Sequence, residues 1–276
     1  MNAEAEARKI GIGALFDRAS ETYDTVGPRF FTHFGRRLVD LTPLKPGSTV
    51  LDVAAGRGAV LFPASQKIGP SGQLTAIDLA EGMVQRTAAQ LASTGITNAR
   101  LIQMDAENLD FPDASFDFVL CGFGLFFFPQ LSQALTEIYR VLKPGGMLAA
   151  SIWGKADERW NWIAEVGLRP KPQTGNSARR PVHDNNTTWL ETALNQAHFG
   201  DYHQVKEEAD MTFASPDEWW ASEWSHGARG CLERMETEAL AQAKTAAYLK
   251  LEEMRQPDGI HHIYRVIFNF ASKPAE

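Results

Sequence analysis

VLDVAAGRGAV, residues 50 to 60, is the stretch that decides the fold, because an apolar strand there runs directly into Gly56-Arg57-Gly58 and then into a helical segment. Glycines at such a turn let the backbone bend tightly and approach a ligand with no Cβ in the way. The same turn also occurs in strand-to-helix connections that bind nothing. By itself it is therefore weak support for a binding site.

A carboxylate, Asp78, follows about 20 residues later at the end of the next predicted strand, where it can accept both hydroxyl hydrogens of a ribose. The glycine turn and Asp78 together predict a site for an adenosine-type ligand. A dinucleotide fingerprint would place Gly or Ala at the third glycine position, which is Leu61 here. The P-loop pattern is absent as well. The spacing therefore favours a ribose-bearing ligand without phosphates.

Short apolar runs alternate with helical stretches around this turn, which is typical of βαβ units and a parallel sheet. Strands are predicted at 49–53, 73–78, 99–103, 116–121 and 147–153. Helices are predicted at 78–91 and 131–142, the second ended by Lys143-Pro144-Gly145-Gly146. Residues 12–40 have an amphipathic helical pattern broken at Gly27-Pro28, and we expect them to pack over the edge of the sheet.

The second half of the chain has a different pattern of predicted elements. A long loop is predicted at 169–186, and it is followed by a helix at 188–197, a strand at 202–209, two helical segments at 216–255 and a last strand at 261–270. In the last strand Tyr264, Val266, Phe268 and Phe270 alternate with their neighbours. This alternation predicts two differently buried faces.

Composition indicates one folded enzyme. The 276 residues are 44% hydrophobic and 22% charged, which is ordinary for a globular chain that buries a substantial core. A net charge of -7 without a run of Lys and Arg argues against nucleic acid as a partner. No stretch suggests a signal peptide or a membrane span, and Cys121 and Cys231 fit neither a disulfide framework nor a zinc site. We expect a cytoplasmic protein.

Five motifs follow one another in order between Phe16 and Gly154. They are FDRASETYD at 16–24, VLDVAAGRG at 50–58, AIDLAEGMV at 76–84, MDAENLDFPDASFDFVLCGFGLFFF at 104–128 and IYRVLKPGGMLAASIWG at 138–154. In this order they resemble the class I S-adenosylmethionine-dependent methyltransferases of the ubiquinone and menaquinone biosynthesis type. The sequence after Gly154 carries no such motif.

The resemblance implies an α/β fold with a Rossmann-like seven-stranded, mostly parallel sheet and an antiparallel last strand. It also implies an N-terminal helical lid at 1–45, a cofactor-binding core at 46–154, and a segment at 155–276 that completes the sheet and carries a helical substrate cap at about 212–256. The implied cofactor is S-adenosylmethionine, with S-adenosylhomocysteine as the product, and no metal is expected.

Residue roles follow from the same resemblance. The backbone at Ala54 and Gly56 would face the methionine part of the cofactor, and Asp78 would hold the ribose. The carbonyl of Cys121 would meet the methionine ammonium, so the thiol need not react. Tyr23 would close over the methionine carboxylate.

Four further residues would lie at the adenine end of the cofactor. Leu79 follows the ribose carboxylate, and the thioether side chain of Met83 either packs on the adenine ring or belongs to the core. Asp105 would accept from the adenine amino group while the Ala106 amide reaches a ring nitrogen. The alternative for Asp105 is a helix or turn cap.

The substrate site is predicted from aromatic residues. Phe126-Phe127-Phe128 replaces a more polar stretch of the quinone-pathway enzymes, which argues against a quinone as the substrate. All seven tryptophans lie at or after residue 153, in the half that varies within the family. We expect Phe126, Trp153, Trp220 and Trp224 to line a pocket for an apolar or aromatic acceptor. The alternative is that the tryptophans form the core of the cap.

A hydroxyl or amine acceptor would benefit from a positioned base, and histidine is the default side chain near neutral pH. His226 lies beside Trp224 in the cap, and the family's antiparallel last strand would bring His261 and His262 to the ligand edge of the sheet. His33 lies in the lid. His226 and His261 are the candidates, each with a structural role as the alternative.

The predicted function is transfer of a methyl group to an oxygen, nitrogen or carbon atom of a hydrophobic or aromatic small molecule in secondary metabolism. The alternative is an enzyme of the same fold that binds S-adenosylmethionine but catalyses a cyclisation, or couples methylation to one. A nicotinamide-dependent dehydrogenase is disfavoured by Leu61. The acceptor and the oligomeric state stay open.

Overall fold

A seven-stranded sheet is the frame of the protein, seen in a computed structural model that describes residues 3–169 and 187–275. Its strands lie in the order β3-β2-β1-β4-β5-β7-β6. Their bounds are β1 Thr49–Val53, β2 Gln73–Asp78, β3 Ala99–Gln103, β4 Phe116–Gly122, β5 Leu142–Trp153, β6 Gly200–Phe213 and β7 Ile260–Ser272. Strands β1 to β5 pair in parallel, whereas β7 is antiparallel to β5 and β6. The predicted fold class is confirmed.

Helices cover the sheet, and consecutive residues of β1 such as Val50 and Leu51 are buried because both faces are packed. The helix bounds are α1 Ala3–Ala19, α2 Phe30–Leu41, α3 Leu61–Ile68, α4 Glu81–Ser93, α5 Leu131–Val141, α6 Trp162–Glu165, α7 Thr188–Gln196, α8 Pro216–Trp224, α9 Arg229–Leu232 and α10 Thr237–Met254. Within the described ranges, no helix combines the length and apolar character that crossing a bilayer requires.

The helix predicted at 131–142 ends at Val141, directly before the predicted terminator, but β5 begins at Leu142 rather than at residue 147, because Leu142 already pairs with Phe116 of β4. The alternation in the last strand does not produce two differently buried faces. Residues 266 to 271 are all buried, since helices such as α2 and α10 also contact this strand. The predicted loop beyond Arg169 falls on 170–186, which lie outside the described residues.

Helices outside the βαβ core come from the first 41 residues and from the segment between β6 and β7. The break between α1 and α2, residues 20–29, contains the predicted Gly27-Pro28 interruption, and α1 contacts α4 and α9. Helices α8, α9 and α10 lie between β6 and β7 in the sequence. Together with the segment after β5 and the end of β6 they form a separate hydrophobic cluster, whose largest members are Trp160, Trp162, Phe213 and Trp219. The division into a lid, a core and a cap-bearing segment at the predicted boundaries stays a prediction.

Candidate active site

An open cavity lies at the carboxyl ends of β1, β2 and β4 and spans about 750 Å³, a volume that includes space open to solvent. This is the edge at which doubly wound sheets bind their ligands. Eight of the nine residues predicted to contact the cofactor line it, namely Tyr23, Ala54, Gly56, Asp78, Leu79, Met83, Asp105 and Ala106. The ninth, Cys121, is fully buried, and its neighbour Gly122 lines the cavity instead. Burial raises the pKa of the Cys121 thiol to about 12, so this thiol is unreactive.

The two glycines of the turn, Gly56 and Gly58, have different structural roles. Both have left-handed backbone, with φ of 52° at Gly56 and 83° at Gly58. A Cβ on Gly56 would meet only the Cε1 atom of Tyr23, at 3.8 Å, so the space in front of Gly56 belongs to the cavity. A Cβ on Gly58 would lie 2.5 Å from the ring of Phe62. Gly56 therefore leaves room for a ligand, and Gly58 lets α3 pack against the turn.

Asp78 ties the glycine turn to the end of β2. Its Oδ2 accepts the Gly56 N–H at 2.8 Å, and its Oδ1 accepts the Ala80 N–H at 2.9 Å. Burial raises the pKa of this carboxyl group above its usual value. Each carboxylate oxygen has a second lone pair, so the two backbone contacts fix the group while leaving it able to accept from a ligand.

Lys9 is a cavity residue that the sequence reasoning missed. Its Nζ lies 2.5 Å from Oδ2 of Asp105 and 2.8 Å from Oε2 of Glu107, and its side chain is only 11% exposed. Burial opposes its charge, but the hydrogen bonds with the two carboxylates raise the pKa of Lys9 overall. Helix α1 thus supplies a buried cation to the cavity, and no local sequence pattern signals it.

The cavity has an excess of negative charge. Three carboxylates, those of Asp78, Asp105 and Glu107, face the single ammonium of Lys9. A fourth carboxyl group, that of Asp52 in β1, is fully buried. Burial and the proximity of Asp78 raise the pKa of Asp52 well above its usual range, so the negative field comes from the other three carboxylates. Such a field favours a cationic ligand.

Aromatic side chains form the other wall of the cavity. Phe16 of α1 meets Phe127 edge to face, with ring centroids 5.0 Å apart, and Phe123 and Phe128 also line the space. Phe127 and Phe128 belong to the run noted in the sequence, but none of these four residues was predicted as a site residue. The 3-10 turn at Leu125–Phe127 points successive side chains to different sides, so Phe127 lines the cavity and Phe126 packs into the core.

The four predicted substrate residues are not brought together. Phe126 and Trp153 are buried in the main core, at 7% and 9% exposure, and Trp153 packs against Phe123 with centroids 4.3 Å apart. Trp220 and Trp224 pack on the hydrophobic cluster of the cap. None of the four lines the cavity. The geometry therefore agrees with the structural alternative stated for the cap tryptophans.

The histidine candidates also lie apart from this cavity. Nδ1 of His226 accepts the Ala228 N–H at 3.3 Å, and its ring lies beside Phe30 and Phe31, the latter stacked on Tyr23. His261 contacts Asp258 and Asp210 at 3.0 and 3.1 Å. The rings of His262 and Trp160 are stacked, and His33 is exposed. Within residues 3–169 and 187–275, no group of three or more His, Cys, Asp or Glu side chains is arranged to hold a metal ion.

The sheet order, the antiparallel β7 and the cavity at the glycine turn define a Rossmann-like protein with a site for an adenosine-type ligand. Residues 3–155 match the sequence model of the ubiE/COQ5 methyltransferase family, and the chain belongs to that family. The predicted resemblance to the methyltransferases of the ubiquinone and menaquinone biosynthesis type is confirmed.

The relatives with curated names include three methyltransferases. The chain is 42% identical over 141 residues to aklanonic acid methyltransferase of Streptomyces sp. (strain C5), covering 51% of this chain and 64% of the relative. It is 41% identical over 134 residues to nocamycin O-methyltransferase of Saccharothrix syringae, covering 49% and 48%. Demethylmenaquinone methyltransferase of Listeria monocytogenes is 34% identical over 148 residues, covering 52% and 62%. The matches thus span about half to two thirds of these relatives.

Solved structures share the fold. The YcgJ protein of Bacillus subtilis superposes with a TM-score of 0.60 at 18% identity, covering 88% of this chain and 99% of that one. The [4+2]-cyclase SpnF superposes with a TM-score of 0.57 at 22% identity, covering 89% and 82%. At these identities the likeness concerns the fold alone.

Proposed function

We propose that the protein transfers a methyl group from S-adenosylmethionine to an oxygen, nitrogen or carbon atom of a hydrophobic or aromatic small molecule in secondary metabolism. The observation that carries the proposal is the cavity, because eight predicted cofactor residues line it together with an aromatic wall. The names of two relatives, which refer to aklanonic acid and nocamycin, support an acceptor from secondary metabolism.

The residues present fit this cofactor in size and charge. Asp78 would accept the ribose hydroxyls, and the open space before Gly56 would admit the methionine part. Met83 and Ala106 would bound the adenine, and Asp105 would accept from its amino group. When bound, S-adenosylmethionine supplies an electrophilic methyl carbon on a cationic sulfonium. The negative field of Asp78, Asp105 and Glu107 suits that charge.

The remaining task of the protein is to position the acceptor and exclude water. Phe16, Phe127 and Phe128 offer apolar surface on which an aromatic acceptor would lie. Ile12 and Phe16 belong to α1, so the first helix would close over both ligands. The predicted cytoplasmic location stays a prediction, as does the oligomeric state.

The test is an incubation of the purified protein with S-adenosylmethionine and a panel of polyketide acids, phenols and demethylquinones, followed by mass spectrometry. A product heavier by one methyl group is expected for at least one apolar acceptor, together with S-adenosylhomocysteine. A rearranged product without a mass gain would instead favour the cyclisation alternative. Calorimetric titration without binding of either S-adenosylmethionine or S-adenosylhomocysteine would rule out the proposal.

A further inference from the structure

A second cavity, of about 630 Å³, lies on the other side of Tyr23, which lines both spaces. Its walls come from the segment between α1 and α2, from the first turns of α2, and from the glycine turn with α3. It shares none of the carboxylates of the first cavity. The proposed methyl transfer makes no use of it.

The charge of the second cavity is opposite to that of the first. Three arginines, Arg29, Arg36 and Arg57, line it together with one carboxylate, that of Asp24. That carboxylate is already engaged, because its Oδ2 accepts both the backbone N–H, at 2.8 Å, and the hydroxyl of Thr32 in the first turn of α2. The cavity therefore keeps an excess of positive charge in a protein whose net charge is -7.

The side chain of Arg57 gives the strongest argument for an anion at this site. Its Nη1 donates to the carbonyl of Ser20 at 2.6 Å, but its Nε is buried and has no hydrogen-bond partner among residues 3–169 and 187–275. Burial and the nearby Arg86 lower the pKa of Arg57. A buried cationic donor without an acceptor is costly, and an anion in the cavity would supply the missing acceptor.

Other arginines of the protein form ion pairs with carboxylates. Arg37 pairs with Glu207 at 2.7 Å, and Arg140 pairs with Glu137 and Asp113 at 2.8 Å. Within the described part of the chain, neither Arg36 nor Arg57 forms an ion pair. The planar guanidinium matches carboxylate and phosphate oxygens with two parallel hydrogen bonds. The amides of Gln66 and Gln90 line the same space as further donors.

We propose that this second cavity binds a small carboxylate- or phosphate-bearing molecule, held by Arg36 and Arg57, at a site separate from the cofactor. Two sources share this chemistry. The anionic group is either a substituent of the methyl acceptor or part of an independent small metabolite. The inference stands on the arginine cavity and does not depend on methyl transfer.

The first experiment titrates inorganic phosphate, and separately benzoate, into the full chain by calorimetry in a low-chloride buffer. R57Q is expected to raise the dissociation constant at least tenfold and R36Q several-fold. The control R234Q, in an exposed arginine that does not line this cavity, should leave it unchanged. Because Arg57 also holds Ser20, thermal melts accompany each variant, and R36Q provides a test that leaves this contact intact. No binding of either anion, or equal affinity in all three variants, overturns the proposal.

The second experiment repeats the phosphate titration with saturating S-adenosylhomocysteine. An unchanged phosphate affinity supports a separate site. Mutual displacement would assign the arginines to the cofactor and overturn it. With an acceptor in hand, phosphate inhibition that is competitive with the acceptor identifies the anion as a substituent of that acceptor, and an unaffected rate identifies an independent metabolite. A failure of methyl transfer alone leaves the calorimetric result intact, so the two proposals fail separately.

Discussion

Lys9 and Asp105, which are 96 residues apart in the sequence, are joined by an ion pair of 2.5 Å between Nζ and Oδ2. The pair fastens helix α1 to the loop after β3, at the predicted adenine end of the cavity. Arg18, near the end of the same helix, pairs with Glu233 beyond α9. The first helix is therefore held at both ends of the cavity that it covers.

Lys9→Met is expected to lower the free energy of unfolding by about 1.5 to 3 kcal/mol, because it leaves Asp105 and the buried Glu107 as neighbouring carboxylates without the cation that hydrogen-bonds to both. It should also weaken binding of S-adenosylhomocysteine, since Asp105 loses its fixed position. Urea unfolding and calorimetry measure the two effects. Arg8→Met, an exposed neighbour, is the control. A gain in cofactor affinity would mean that Lys9 competes with the ligand for Asp105.

Asp78→Ala is expected to weaken cofactor binding by roughly 1.5 to 3 kcal/mol, because two ribose hydroxyls lose a charged acceptor. The variant also removes the acceptor of the Gly56 and Ala80 N–H groups, so a small loss of stability should accompany it. Calorimetry with S-adenosylhomocysteine and a thermal melt separate these effects. The exposed Asp110→Ala is the control. An unchanged dissociation constant would contradict the role assigned to this carboxylate.

Gly56→Ala and Gly95→Ala form a matched pair. Both glycines have left-handed backbone, with φ of 52° and 70°, so each substitution should cost about 1 to 2 kcal/mol of stability. The Gly95 position faces open space, whereas a methyl group at Gly56 would project into the cavity. Only Gly56→Ala should lose cofactor binding, as measured by titration of proteins with comparable melts. Equal binding in the two variants would show that the turn is a plain strand-to-helix connection.

The pH dependence of stability should report on His226. Burial, together with Arg169, lowers the pKa of His226 to about 4, from an ordinary 6.5. Between these values the unfolded chain binds a proton that the folded protein does not, so stability falls as the pH decreases through 6.5 towards 4, by up to about 3 kcal/mol.

The variant His226→Asn cannot take up this proton, so its free energy of unfolding should fall less as the pH decreases. Urea unfolding near pH 7.5 and near pH 5 measures it, with the exposed His33→Asn as the control. An undiminished fall in the Asn variant would assign the pH dependence to other groups.

The glycine turn and Asp78 could be predicted because neighbouring parallel strands bring these positions together. Contacts that depend on the tertiary structure could not. Nothing in the periodicity of α1 indicates that Lys9 reaches Asp105. Likewise, the sequence drew attention to the phenylalanine run and suggested Phe126, but a turn of 3-10 geometry decides that Phe127 rather than Phe126 lines the cavity.

The surroundings of the cap tryptophans also could not be predicted from the sequence. An aromatic excess is equally typical of a pocket and of a small core, and the choice depends on what surrounds each ring. Trp219 is buried in the cluster of the cap, and its neighbour Trp220 packs on that cluster. Likewise, the alternation in β7 could not reveal that residues 266 to 271 are buried on both faces, because α2, one of the helices that contact this strand, is distant in the sequence.

The cap leaves the sheet at Phe213 and returns at Ile260, and these two residues are direct partners across β6 and β7. The segment that contains α8, α9 and α10 therefore joins β6 and β7 where a short hairpin turn could otherwise stand. Its ends are held together by the sheet, so a longer, shorter or different segment would need no change in these two strands. Grafting the corresponding segment of a relative between these two anchor residues is thus a route to chimeras that keep the same sheet and cavity, and such chimeras would test whether the grafted segment affects the choice of acceptor.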